Sequence, residues 1–323
     1  MKKNLKKILV IGCGRWGTFI AWYLDKIGHD VSLFGLESDK GYIRLKEERR
    51  NDYLEISDSL KMISKYEDME SYDFIVISIN SQGLQTLMNE LKPYKLRNKT
   101  FILCMKGIET STGRRLSQIV EENMDSSNKV CVWIGPGHPQ EFVKGIPNCM
   151  VIDSSSDEAK KEVINSVSSD LIRFYFGKDL IGNEIGAASK NVIGIAAGML
   201  DGFNLSTLKG ALMSRGTREI ARLIKAMGGN ELSAYGLCHL GDYEATVFSK
   251  FSHNRQFGES FVKGESYSLL SEGYYTVDAL VSLGKKYSVD LPICNTVYEI
   301  LYLNKNAKEA LNSLFERSLK EEF

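Results

Sequence analysis

The chain has 323 residues, 43% apolar and 25% charged, with 41 Lys+Arg balanced by 41 Asp+Glu. This is the composition of a folded globular protein with one large or two ordinary domains, and a net charge of zero offers no attraction to nucleic acid or to an anionic membrane. Six scattered cysteines (Cys13, Cys104, Cys131, Cys149, Cys238, Cys294) contain no C-x-x-C pair, and four histidines (His29, His138, His239, His253) lack metal-ligand spacing, so reduced thiols and no bound metal are expected.

Residues 1–7 are basic, but the apolar run behind them covers only 8–11 before glycines and an arginine. That is too short for the core of a signal peptide, and no stretch is long enough to span a bilayer. A cytoplasmic protein is expected. The same run, Ile8-Leu9-Val10-Ile11, feeds directly into Gly12-Cys13-Gly14-Arg15-Trp16-Gly17, a G-x-G-x-x-G, and a helical apolar pattern follows (Phe19, Ile20, Trp22, Tyr23, Leu24, Ile27). A second strand from Val31 to Phe34 closes a βαβ unit. In that context Gly12 permits the tight turn, Gly14 the close approach of a pyrophosphate, and Gly17 close helix–strand packing. The first helix presents its N-terminal amides to the phosphates.

Strands are predicted at 7–12, 30–35, 73–79, 100–105 and 130–135, alternating with helical or polar segments. This is the signature of a parallel sheet covered on both faces. Two further runs, 148–152 and 173–176, extend the sheet in a direction that sequence leaves open. Near Leu180 the character changes, and helical patterns run over 182–201, 206–227, 231–238, 275–287, 291–302 and 306–318. The expected architecture is α/β, with an N-terminal doubly wound, Rossmann-type domain over 1–180 and an all-helical substrate-binding and catalytic domain over 181–323.

Gly182, Gly186, Lys190, Gly194 and Gly198 recur at every fourth position. Each glycine costs about 1 kcal/mol of helix propensity relative to alanine, so close approach of a backbone or a ligand should compensate. Lys190 in this stripe is either a desolvated proton-transfer group or a side chain snorkelling out of a tight helix–helix contact. Leu240-Gly241-Asp242 precedes a short helical pattern that puts Asp242 and Thr246 on one face, although a carboxylate there is often only a cap. Ser252-His253-Asn254-Arg255, followed by Gly258, is a polar helix entrance whose donors suit a phosphate; the bland alternative is a solvated turn. Cys104 to Glu109, Gly135-Pro136-Gly137 and Asn80-Ser81-Gln82 lie at the carboxyl ends of predicted strands, where doubly wound sheets bind ligands.

Taken in order, these segments resemble the NAD(P)-dependent glycerol-3-phosphate dehydrogenase family. The resemblance runs through nearly the whole chain: GCGRWGT, ISINSQ, KGIE with T-x-x-G-R-x-L-S, Gly135-Pro136 with Glu141, NEIGAASKNVIGIAAGMLDG, ALMSRGTREIARL, GLCHLGDYEATVFS, S-x-N-R-x-F-G, and SEG with Thr276. It implies reversible hydride transfer between NAD(P)H and C2 of dihydroxyacetone phosphate, giving sn-glycerol 3-phosphate for phospholipid synthesis. Lys190 matches the family's proton-transfer lysine, Asp242 the carboxylate that orients the site, and Lys106 a second active-site lysine. The resemblance further implies cofactor contacts at Gly12, Gly14, Arg15, Trp16, Gly17, Lys106, Pro139 and Glu272. Substrate contacts are implied at Lys106, Gly135, Asn191, Thr246, Ser252, His253, Asn254 and Arg255. It also implies a homodimer.

Four places depart from the family pattern. GPSFA becomes Gly135-Pro136-Gly137-His138-Pro139, the S-R-N phosphate motif becomes Ser252-His253-Asn254, Y-L-P-G becomes Tyr53-Leu54-Glu55-Ile56, and Arg15 sits where a small residue is usual. These raise two competing readings: a related dehydrogenase of another phosphorylated or acidic hydroxy compound, and a dinucleotide-binding sensor without catalysis. Retention of Lys106, Lys190 and Asp242 together counts against the second. Between NAD and NADP the sequence does not decide. Glu37 comes somewhat late to bind ribose hydroxyls, and Lys40 and Arg44 are candidates for a 2′-phosphate.

Overall fold

The computed structural model describes residues 5–314 and 316. The apolar runs form strands β1 (Lys7–Ile11), β2 (Asp30–Phe34), β3 (Lys61–Ile63), β4 (Phe74–Ile77), β5 (Thr100–Leu103), β6 (Lys129–Ile134), β7 (Asn148–Asp153) and β8 (Ile172–Phe176). Among the described residues they make one sheet in the order β3-β2-β1-β4-β5-β6-β7-β8. The first six pair in parallel, which is the doubly wound order with its switch point between β1 and β4. β7 runs antiparallel to β6, and β8 is parallel to β7, which supplies the direction that sequence left open. β3 has only three residues, at the sheet edge, too few to carry an alternating pattern.

Helices α1 (Arg15–Lys26), α2 (Lys40–Glu48), α3 (Leu84–Leu91), α4 (Leu116–Asn123), α5 (Pro139–Val143) and α6 (Asp157–Val167) lie between the strands. β4 and β5 are buried along their whole lengths, as strands covered on both faces must be. Phe19 of α1 stacks on Phe142 of α5 with centroids 5.1 Å apart, and Trp16 meets Phe142 edge-on at 6.4 Å. This aromatic cluster packs under the glycine loop.

Residues up to Lys106 and from Arg114 to Glu184 form one compact unit, and Gly107–Gly113 with the residues from Ile185 onward form another. The change from one to the other falls inside α7 (Leu180–Gly202). Two buried acids fasten the first turns of this helix within the first unit. Asp153 accepts from Asp179 N at 3.0 Å and Asn183 Nδ2 at 2.7 Å, while Glu184 accepts from Ser117 N and Oγ and pairs with Arg115.

The second unit contains α8 (Lys209–Ala226), α9 (His253–Lys263), α10 (Glu272–Lys286), α11 (Pro292–Tyr302) and α12 (Ala307–Ser313). The helix predicted over 231–238 is instead a 3-10 turn, Glu231–Tyr235, ended by the extended backbone of Gly236. The one predicted over 306–318 is helical over Ala307–Ser313; residues 315, 317 and 318 lie outside the described residues. Glu219 of α8 is fully buried and accepts from Ile293 N and Cys294 N, both at 2.9 Å, capping the first turn of α11. Among the described residues no helix is long and apolar enough to cross a membrane.

The glycine stripe of α7 is explained by packing. A Cβ at Gly198 would lie 1.9 Å from Arg255 O, one at Gly194 would lie 2.7 Å from Thr246 Cγ2, and one on Gly258 of α9 would lie 2.1 Å from Ile195 O. α7 and α9 therefore touch backbone to backbone, which only residues without a Cβ allow.

The glycine loop after β1 gives a folding test. A Cβ on Gly17 would lie 1.8 Å from Gly12 O, whereas one on Gly14, whose φ is −70°, meets nothing within 4 Å. Gly17→Ala should destabilise the fold by on the order of 3 kcal/mol, and Gly14→Ala should melt close to the wild type. Thermal unfolding followed by circular dichroism checks the contrast.

Candidate active site

Each unit carries its own group of the residues singled out by sequence. In the first unit the loop from Gly12 to Gly17 joins β1 to α1 at the switch point of the sheet. Gly12 has φ +112°, and a Cβ there would lie 2.3 Å from Ser78 O. Gly14 is exposed, caps α1 without a side chain, and has open space where its Cβ would be. A helix start of this kind presents amide N–H groups. Arg15 and Trp16, half-buried, are its first two residues. The cradle therefore fits a dinucleotide pyrophosphate: the Gly14 backbone is exposed, and among the described residues nothing comes within 4 Å of where its Cβ would be.

Lys106, just beyond β5, donates from Nζ to Gly135 O at 2.7 Å and lies 5.9 Å from the centre of the Trp16 ring. The glycine loop, Lys106 and Gly135 are thus brought together at one edge of the sheet. Pro139 is buried as the first residue of α5. Tyr53, in the segment that departs from Y-L-P-G, donates its hydroxyl to Arg15 O at 2.8 Å. Gly137 has φ +133°, and a Cβ there would fall 2.5 Å from the Phe142 ring. The aromatic cluster thus accounts for the missing serine. Beyond β2, Glu37 accepts from Ser64 Oγ at 2.8 Å, and Arg44 pairs with Asp52 and Glu48. Burial, reinforced by Asp39, pushes the Cys13 thiol up to about 12.

In the second unit Lys190, in the middle of α7, is 7% exposed and does not snorkel outward. Its Nζ lies 2.9 Å from Asp242 Oδ2 and donates to Thr246 Oγ1 at 2.7 Å. Thr246 in turn donates to Asp242 O at 2.8 Å, which turns its lone pairs toward the lysine. Asp242 closes the 3-10 turn Leu240–Asp242 and is fully buried; Thr246 lies one turn on, in the π-turn Glu244–Phe248. Asn191 is buried beside Lys190 on α7. The group is a buried ammonium held by one carboxylate and one hydroxyl, an arrangement that stabilises charge developing on a nearby oxygen and exchanges a proton with it.

The polar helix entrance is the start of α9. Ser252 caps it, accepting from Arg255 N at 3.3 Å, and half-buried His253 is its first residue. Asn254 Oδ1 accepts from Ser271 Oγ at 2.8 Å and Gly273 N at 2.9 Å, pinning the residues on either side of Glu272 at the start of α10. Arg255 is engaged internally: its guanidinium pairs with Asp201 at 2.8 Å and Glu259 at 2.9 Å and donates to Ser249 O. Burial opposes ionisation of Asp201, but hydrogen bonds from Lys209, Ser206 and Arg255 outweigh it and hold the carboxyl below its ordinary range.

Sequence reasoning missed His239 and Tyr243. Their rings meet edge-on with centroids 4.9 Å apart, both are buried, and they flank Asp242 in sequence. Their spacing of four residues, opposite a glycine of the α7 stripe, was the available signal.

Two family models match the chain: the N-terminal domain of NAD-dependent glycerol-3-phosphate dehydrogenase over residues 7–160 and the C-terminal domain over 179–312. A glycerol-3-phosphate dehydrogenase [NAD(P)+] of Fusobacterium nucleatum is 34% identical, with 97% of this chain and 98% of that protein covered. One from a Thermoanaerobacter species is also 34% identical, over 98% of each. The crystal structure of glycerol-3-phosphate dehydrogenase from Coxiella burnetii superimposes with a TM-score of 0.89 at 26% identity, covering 97% of this chain and 99% of that one. With both domain models matched and relatives this similar along their full lengths, the chain belongs to the NAD-dependent glycerol-3-phosphate dehydrogenase family.

Proposed function

We propose that this chain interconverts dihydroxyacetone phosphate and sn-glycerol 3-phosphate, using NADH or NADPH. The observation that carries the assignment is the buried Lys190 ammonium held by Asp242 and Thr246, in a chain whose full-length relatives are named glycerol-3-phosphate dehydrogenase [NAD(P)+]. The dinucleotide, when bound, supplies the hydride for the ketone carbon. The glycine loop and the amides of α1 hold its pyrophosphate, with Arg15, Trp16, Lys106, Pro139 and Glu272 as further contacts.

As C2 of the ketone becomes tetrahedral, its oxygen gains negative charge. Lys190 stabilises that charge and gives the oxygen a proton from Nζ; in the oxidative direction Nζ takes the proton back. Asp242 orients the ammonium, and Thr246 fixes a second N–H direction. Lys106, Gly135 and Asn191 serve as substrate contacts. Ser252, His253, Asn254 and Arg255 form the phosphate end at the start of α9, where the helix dipole favours an anion. Because Arg255 is neutralised by Asp201 and Glu259, His253 and the helix amides carry most of the attraction.

The six cysteines form no disulfide, which supports a cytoplasmic location. The names of the relatives support a small phosphorylated substrate as partner, and the balanced charge offers no attraction to nucleic acid. By resemblance the assembly is a homodimer.

The first test is the absorbance decay of NADH, and separately of NADPH, with dihydroxyacetone phosphate and purified protein. Saturable decay is expected; binding of NADH without decay would overturn the assignment. Lys190→Met should lower kcat by about 10²-fold or more while leaving NADH affinity nearly unchanged, and near-normal turnover in that variant would remove Lys190 from proton transfer. His253→Arg should lower KM for the phosphorylated ketone, most strongly above pH 7, where an imidazole is ordinarily neutral and a guanidinium is not. A KM unchanged between about pH 6 and 8.5 would place residue 253 away from the phosphate.

A further inference from the structure

Behind the Lys190–Asp242 pair lies a buried polar chain that the proton-transfer chemistry does not use directly. His239 Nδ1 is 2.8 Å from Gly186 O, and His239 Nε2 is 2.7 Å from the Tyr243 hydroxyl. Gly186 O can only accept, so Nδ1 carries the proton; Nε2 is then the acceptor and Tyr243 the donor. For a neutral imidazole this fixes both bond directions.

Both ends of this chain reach the proton-transfer group. In an α-helix the carbonyl of Gly186 accepts the backbone N–H four residues on, which belongs to Lys190. His239 therefore bonds to the very carbonyl that closes the turn carrying Lys190. At the other end, His239 opens the 3-10 turn that Asp242 closes, and Tyr243 follows Asp242 directly. Gly186 admits the contact: a Cβ there would lie 3.0 Å from His239 Cβ.

We propose that His239 and Tyr243 are positioning residues for Lys190: they clamp the Gly186 turn of α7 to the segment bearing Asp242 and so set the register of the ion pair. This rests on the assignment of Lys190 to proton transfer. The charged groups facing the imidazole are Asp242 and Lys190, and those around the phenol are Glu219 and the Cys294 thiol. Burial pushes His239 down to about 4. A neutral imidazole there adds no second cation beside the Lys190–Asp242 pair. Tyr243 is raised by burial and stays protonated, as a donor must.

The test uses the intact chain with NADH and dihydroxyacetone phosphate, and the variants His239→Phe, His239→Asn and Tyr243→Phe, each made alone and in a Lys190→Met background. His239→Phe should lower kcat about tenfold, since small misplacements of a reacting group cost factors of this order, with KM and NADH affinity within about twofold. His239→Asn retains an N–H for Gly186 O and should recover a substantial part of the loss; Tyr243→Phe should lower kcat about threefold. None should lower kcat further in the Lys190→Met background, because a residue acting only through Lys190 has nothing left to position. A folded His239→Phe with wild-type kcat would overturn the proposal, and so would an equal loss in both backgrounds. If His239→Phe does not fold, Tyr243→Phe, which lacks one oxygen, decides by the same two comparisons. Near-normal turnover in Lys190→Met itself would instead overturn the proton-transfer assignment on which the proposal stands.

Discussion

The second unit is organised around a charge that cannot be solvated. The Lys190 and Asp242 side chains are 9% and 1% exposed and 2.9 Å apart. Burying either ion alone costs several kcal/mol, and the attraction between them offsets this only with good geometry and further hydrogen bonds. Thr246 supplies one such bond to the lysine. An ion pair of this kind is a poor device for stability, since a well-packed apolar pair would serve as well. It is a good device for chemistry, because in a water-poor setting each charge acts strongly on whatever oxygen is placed beside it.

That pair imposes a demand on α7, which must bring Lys190 into the interior while its neighbours approach closely. Gly194 and Gly198 accept the side chain of Thr246 and the backbone of α9 at distances a Cβ would forbid, and Gly186 lies close against His239, where a Cβ would sit 3.0 Å from the His239 Cβ. The lost helix propensity is offset by anchoring at the other end. Asp153 and Glu184 hold the first turns of the helix with hydrogen bonds from Asp179, Asn183 and Ser117. A helix poor in intrinsic stability is thus fixed at its start by buried acids and along its length by contact.

The sequence revealed most clearly what is periodic or local. β1, the glycine loop and α1 were legible because a strand, three glycines and a helix must follow in that order, and the five parallel strand runs were legible because burial on both faces makes them continuously apolar. The stripe at 186, 190, 194 and 198 signalled close approach but could not separate packing from a ligand; the structure shows packing at the glycines, against His239, Thr246 and α9, and an ion pair with Asp242 at the lysine. Three things depended on tertiary partners and left no local trace. The reversed direction of β7 and β8 is set by pairing across the sheet. The association of Gly107–Gly113 with the helical unit is set by contacts such as Gly113 against Leu283. The role of His239 is set by a carbonyl fifty-three residues away.

One departure from the family pattern follows from packing, and another stands beside a committed arginine. Phe142 stacks on Phe19 and meets Trp16, so its ring occupies the space that a side chain at 137 would need. Glycine at 137 and the aromatic cluster under the dinucleotide loop are therefore one feature: restoring a serine would push on Phe142, and through it on Trp16 beside Lys106. At the start of α9 the arginine at 255 is already matched by Asp201 and Glu259, and Asp201 is also shared with Lys209. Moving that guanidinium toward a phosphate would take away one of the three side chains that hold the Asp201 carboxylate. The histidine at 253 thus stands on a helix start whose neighbouring arginine is committed to the fold by Asp201 and Glu259.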